Sequence, residues 1–354
     1  MHKHSIIRIA AAACTLSLLA GCTARLDSVE KGTISFTATG SPLLRDDANT
    51  KGGTLKTDFS VNDYFYVYGT KTVSATRQVV FNGQSVSLTG TGWEYSPLRF
   101  WDSNATQYDF LAISGPSSAP DSNPASGNRI SASVTYDATT DTPYDLMAAG
   151  YQRNNGSVDP VHFEFSHLLS AVRVTIINDS PSIRITVNSY GFRNICYRAT
   201  GTVEQSGSGL AAMGISDWGT LSYTSSTILG YATTPGTELA NGEEFAMTSG
   251  KWDLMVPQGL SPYGDYIPQL MLDYEYDQVN PYTSILEHNH SVFPIRLEEI
   301  TLRNSNELIT SWLPGKRYNY EIHIRLGGGI IVNVAVTDWK EVLAETPGLT
   351  IDDE

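Results

Sequence analysis

The chemistry this chain advertises most openly is that of a thiol. Leu19-Ala20-Gly21-Cys22 follows a charged start (Lys3, Arg8) and a largely apolar 12-residue run over positions 9–20. Small residues at Ala20 and Gly21 let a peptidase approach the backbone, and Cys22 offers a thiol that takes a diacylglyceryl group before becoming the new N-terminus. The apolar run falls short of the ~20 residues a spanning helix needs. Residues 1–21 therefore read as a lipoprotein signal peptide, and Cys22 as the lipidation site that tethers an exported chain of 333 residues (354 minus 21) to a membrane surface.

Other reactive side chains are sparse. Of three cysteines, Cys14 departs with the signal and Cys22 is claimed by lipid, so Cys196 stands alone and no internal disulfide is expected. His288 and His290 flank Asn289; without a companion pair at ligand spacing they read as a solvated loop rather than a metal site. His167 lies on the apolar face of its strand, which fits a core imidazole bonded to backbone better than a catalytic base. Trp93, Tyr95, Phe100 and Trp101 fall within nine residues. Trp93 and Trp101 would suit a stacking platform for a sugar ring, or else simple core packing.

Phosphate-binding loops, the dinucleotide glycine fingerprint and the Gly-x-Ser-x-Gly elbow are all missing from the sequence. The acidic residues are too scattered to pick out a glycosidase pair. No catalytic residues, metal or cofactor are assigned, and the chain reads as a non-enzyme. Formal charge is −14, and −16 once Lys3 and Arg8 leave with the signal, with no basic stripe that would release counterions from nucleic acid.

The elements that must position these groups are strands. Period-2 alternation recurs throughout and amphipathic helical stretches are scarce, so the chain reads as all-β. Tyr318, Tyr320, Ile322 and Ile324 share one face of a strand over 317–326, with Arg317, Asn319, Glu321 and His323 on the other. Gly327-Gly328-Gly329 then turns the chain into Ile330, Val332, Val334 and Val336, which predicts a hairpin. Residues 163–176 predict one long strand whose register changes near Ser170-Ala171, as a bulge would allow. Further strands are expected over 34–38, 64–68, 79–81, 108–113, 183–187, 252–256 and 269–274. The polar stretch 153–160 marks a boundary, giving sandwiches over 46–158 and 159–354.

Several local patterns together resemble one family, the fimbrillins of Bacteroides-type bacteria, subunits of type V pili. They are the Cys22 lipobox, Asp63-Tyr64-Phe65-Tyr66-Val67-Tyr68, and Trp101 followed by Tyr108-Asp109-Phe110-Leu111-Ala112. Tyr144-Asp145-Leu146-Met147-Ala148 and Phe163-Glu164-Phe165-Ser166-His167-Leu168-Leu169 come next. Leu254-Met255-Val256-Pro257-Gln258, Trp312-Leu313-Pro314-Gly315 and the run ending in Asp338-Trp339 complete the order.

What the resemblance implies is two transthyretin-like β-sandwich domains in tandem, reaching the outer membrane surface and the fimbrium as a lipoprotein. Its partners would be other fimbrial subunits and a host or bacterial surface ligand. In that family an arginine-specific protease removes the lipidated N-terminal segment with its first strand, and the opened groove takes a strand from the next subunit. Here the removable segment would be residues 22–45, with Ile34 and Phe36 as the apolar points of the displaced strand. Arg45, in what reads as a polar connection, would be the cleavage residue, or else simply a solvated loop residue; Lys51 is a poorer second choice. The run Ile330, Val332, Val334 and Val336 would be either the donor or a permanent core strand. The alternative to a fimbrial subunit is an anchored glycan-binding lipoprotein using Trp93 and Trp101.

Overall fold

The computed structural model describes residues 32–40, 43–45, 53–55, 58–124, 126–139, 144–154, 158–181, 183–246, 251–303, 305–325 and 329–339. Cys22, Asp46, Lys51, Gly327 and Gly328 lie outside the described residues.

The fold is all-β as the alternation requires. Two single-turn 3-10 segments, Ile215–Asp217 and Leu297–Glu299, are the helical elements among the described residues. One six-stranded sheet runs in the order Ser166–His167, Met147–Asn154, Ala105–Ser114, Tyr64–Val73, Thr76–Thr89, Gly92–Glu94. Its inner face presents Phe65, Val67, Phe110, Ala112, Met147 and Ala149, all essentially unexposed. Over that face lies a two-stranded parallel sheet of Phe36–Thr39 and Val161–Glu164, and the layer between them is an aromatic-rich core. Gly69 sits where an added Cβ would come within 2.9 Å of the Phe81 and Phe110 rings, so glycine is what lets the rings close over the strand.

A larger sheet is built on two long central strands, Ser170–Asn178 and Lys316–Arg325, paired in parallel from Ala171↔Arg317 to Asn178↔Ile324. Lys316–Arg325 pairs on its other side with Gly329–Asp338, antiparallel over ten positions, which is the hairpin the alternation predicts. A four-stranded sheet (Ile228–Leu239, Ile185–Arg193, Gln269–Val279, Leu286–Arg296) belongs to the same, larger apolar core. So does a sheet that pairs Ile195–Ser206 with Ser131–Asp137.

Two expectations change. The stretch 163–176 is not one bulged strand. It is three strands, Val161–Glu164, Ser166–His167 and Ser170–Asn178, each in a different sheet. The register change marks a crossing between sheets, because alternation reports which side is apolar and not which sheet supplies the apolar side. The polar stretch 153–160, for its part, does not separate the sheets. Val161–Glu164 and Ser166–His167 join the smaller core and its sheet, while Ser131–Asp137 pairs with Ile195–Ser206 and Gly53–Leu55 with Lys251–Met255. At the seam Gly150 meets Gly209, where an added Cβ would stand 1.8 Å from the Gly209 carbonyl oxygen. A cavity of about 760 Å³ opens beside it, bordered by His167, Met213 and Trp339.

Candidate functional site

The groups the sequence singles out converge most closely around the first strand. Ile34 is completely buried and Phe36 is 4 % exposed, as their alternation predicts. Phe36 stacks on Phe163, with ring centroids 5.7 Å apart and planes 16° apart. It meets Phe65, Phe81, Tyr95 and Phe110 at 5.5–6.2 Å, mostly edge-on. Such a cage buries a large apolar side chain and adds offset and edge-to-face ring contacts.

The backbone of this segment is held from both flanks. On one side Val161 N donates to Ser35 O at 2.8 Å and Phe165 N to Thr39 O at 2.9 Å. On the other, Ile34 N donates to Arg99 O at 2.8 Å and Trp101 N to Gly32 O at 2.6 Å. Tyr95 supplies a further tie, its hydroxyl donating to Ile34 O at 2.6 Å, and burial raises its pKa above the ordinary phenol value. Residues 32–39 thus fill a slot between the segment around Arg99 and the strand Val161–Glu164.

The same geometry reassigns the aromatic cluster at 93–101. Trp93 is half-buried and packs on Phe65 at 4.8 Å and Phe59 at 5.4 Å. Trp101 meets Tyr108 edge-on at 4.7 Å, and the Arg153 guanidinium lies 4.8 Å over its ring. Trp93, Tyr95 and Trp101 form one wall of the first-strand slot, while Phe100 beside them is 53 % exposed. Alternation alone gave no hint of this, since the wall is recruited by a strand some sixty residues earlier.

Arg45 ends a three-residue strand, Leu43–Arg45, rather than lying in a loop, with its backbone opposite Gly53. That strand is the outermost of the large sheet. Ile330, Val332, Val334 and Val336 stand in Gly329–Asp338, opposite Ile324, Ile322, Tyr320 and Tyr318, with Thr301–Leu302 pairing on the other side. Val334 is fully buried and Val336 is 38 % exposed.

The histidines also move. His167 is a core imidazole, but its Nδ1 bonds the buried Asp145 carboxylate at 3.1 Å, not backbone, and its ring stacks on Trp339 at 3.9 Å. His288 and His290 lie in the strand Leu286–Arg296 instead of a loop. Asp273, Glu275 and Asp277 accompany them on the neighbouring strand. Cys196 is a free buried thiol, pushed up to about 11 by that burial.

Comparison with solved structures finds similar chains at low identity. A candidate cell adhesion protein from Bacteroides uniformis is 16 % identical with TM-score 0.41, covering 87 % of this chain and 98 % of that one. Another from Parabacteroides distasonis is 9 % identical with TM-score 0.43, covering 88 % and 97 %. A fimbrilin from Porphyromonas gingivalis is 8 % identical with TM-score 0.39, covering 87 % and 97 %. No curated protein sequence matches. The Fimbrillin-like family model matches residues 50–339, which take in the slot walls and most of both cores but not the strand Phe36–Thr39, and the chain belongs to that family.

Proposed function

We propose that this chain is a non-enzymatic fimbrial subunit that assembles by exchange of its first strand and contributes to surface adhesion. The observation that carries the reading is the slot: a short N-terminal segment, with two buried apolar side chains, completes a core made otherwise by residues 59–165. Withdrawing it would uncover the ring cage around Phe36 and leave the Val161 and Phe165 amides and the Arg99 carbonyl without their partners. That is the situation β-strand addition resolves.

Two details favour exchange over permanence. The resident pairing is short, from Phe36↔Val161 to Thr39↔Glu164. The hydroxyls of Thr33 and Ser35 are buried without a hydrogen-bond partner among the described residues, and each such group costs about 1–3 kcal/mol. An incoming strand with apolar side chains at those two places would fill the slot without that cost. At about 1.5–3 kcal/mol for each large side chain, four such residues contribute roughly 6–12 kcal/mol before ordering costs.

Cleavage after Arg45 would release residues 22–45 as a unit, lipid at Cys22 included. An outermost strand suits a protease, because its extended backbone has one edge left open among the described residues to offer the enzyme's cleft. Gly329–Asp338 is already paired on both sides in its own sheet, which supports a core role for Ile330 to Val336 and leaves the donor to another segment. The glycan-binding alternative loses its motivation, since Trp93 and Trp101 are engaged in packing.

The test is mass spectrometry of the N-terminus of protein taken from intact cell surfaces. A chain starting at Asp46 without lipid, in a detergent-stable polymer, is the expected result. A lipidated Cys22 on the surface-assembled form would remove strand excision from this protein.

A further inference from the structure

The hairpin Gln269–Val279 and Leu286–Arg296 takes no part in the slot, yet it gathers two histidines and three carboxylates. On one face, Asp273, Glu275 and Asp277 stand on the first strand and His288 and His290 on the second. His290 is directly opposite Glu275, and His288 is opposite Asp277. Nδ1 of His288 meets Asp277 Oδ1 at 2.8 Å, and its Nε2 lies 3.3 Å from Glu275 Oε2. Nε2 of His290 meets Asp273 Oδ1 at 2.8 Å.

We propose that His288, His290 and Glu275, with Asp273 as the fourth ligand, form a binding site for a borderline divalent transition ion such as Zn²⁺. Two imidazoles alternating on one strand project side by side from the same face. With Glu275 across the ladder they supply the mixed nitrogen and carboxylate set that zinc takes in tetrahedral geometry. Asp277 does for His288 what an outer carboxylate does for a metal-bound histidine: it engages Nδ1 and leaves Nε2 to face the ion.

A second support comes from the next strand. The register of Ile185–Arg193 slips between Val187 and Ser189, and Asn188 is the extra residue of that bulge. Its amide donates to Asp273 Oδ1 at 3.2 Å and to Glu275 Oε1 at 3.1 Å, tying the two proposed carboxylate ligands together. Gly236 makes room for it, since a Cβ there would stand 2.4 Å from Asn188 Oδ1.

Hydrogen bonds hold the cluster in the described arrangement, and among the described residues no three such groups already converge on one point. Both histidines are more than half exposed, so rotation of their side chains brings the nitrogens round without disturbing the sheet. Binding replaces these imidazole–carboxylate hydrogen bonds with bonds to the ion.

The test titrates the mature full-length chain with Zn²⁺ in a calorimeter, with Ca²⁺ as the hard-ion control and the visible absorption of bound Co²⁺ as a second readout. One Zn²⁺ per chain is expected, without detectable Ca²⁺ binding. His290→Ala and Glu275→Gln should each weaken Zn²⁺ at least about tenfold, and Asp277→Asn by about tenfold through His288. Unchanged thermal unfolding of these surface variants separates lost ligands from lost fold. No zinc binding, or binding that persists undiminished in His288→Ala/His290→Ala, overturns the proposal.

Discussion

Two strands read from alternation, residues 33–39 near the start and Gly329–Asp338 near the end, are held by different means. The first pairs in parallel from Phe36↔Val161 to Thr39↔Glu164 and owes its place to Ile34 and Phe36 in a ring of aromatics. The second pairs over ten positions with Lys316–Arg325 and also touches Thr301–Leu302, while of its apolar row Val334 alone is fully buried. Both are bonded along both edges, the first over a few positions around two caged side chains and the second along a ladder of ten. Withdrawing the first breaks few backbone bonds, whereas withdrawing the second undoes the sheet it belongs to.

The strongest way to break this contrast is at Phe36. Phe36→Ala should cost about 3–5 kcal/mol in thermal or denaturant unfolding of the unprocessed chain, and Phe36→Asp more, because it also buries a charge. Unchanged stability in either variant would show that the first strand does not complete the core. Next in size is the protection of Cys196, which reports on the larger core. With its thiol pushed up to about 11, alkylation of the native chain at pH 8 should run on the order of a hundredfold slower than in the unfolded chain. That protection should survive removal of the first strand. Exposure of Cys196 on processing would mean the two cores open together.

A smaller effect is expected inside the ladder-held strand. Val334→Ala should cost about 2 kcal/mol, whereas Val336→Ala, at a position 38 % exposed, should stay within about 0.5 kcal/mol. Equal costs would mean that the alternation there does not set which side is core. The smallest concerns His288, whose hydrogen bond to Asp277 raises its pKa above the ordinary imidazole value of about 6.5. Its folded-state pKa being the higher one, the contribution is fully present below about 6.5 and fades as pH rises through the raised value. Amide exchange in the hairpin Gln269–Val279 and Leu286–Arg296 should therefore be slightly slower in relative terms at the acid end, a difference that His288→Ala removes.

What the sequence made legible follows from the same physics. The hairpin at 316–338 could be read because one face of each strand is apolar and the other polar, and Ile34 and Phe36 could be placed in the core for that reason. Alternation carries no information on partners, however. The parallel match of Phe36 with Val161, the division of 161–178 among three sheets and the pairing of Ser131–Asp137 with Ile195–Ser206 were out of its reach. His288 and His290 looked like part of a loop because their strand, Leu286–Arg296, is an edge strand exposed along most of its length with polar groups on both faces. The aromatic cluster at 93–101 was recognised as a cluster, but its role as a wall depends on a strand that arrives from outside it. Arg45 looked like part of a loop because three residues are too few to show a period.

The parallel match of Ser170–Asn178 with Lys316–Arg325 also sets a timetable. Arg173 bonds Asn319 across 146 residues of sequence, so a chain emerging from its N-terminal end carries one edge of its central strand open until Lys316–Arg325 arrives, long after Glu244–Ala246 and Lys251–Met255 have closed the other edge. Contacts of such long sequence separation slow folding, since loop closure comes before the reward. A chain truncated ahead of Lys316 would be left with that strand's edge open, a surface for aggregation.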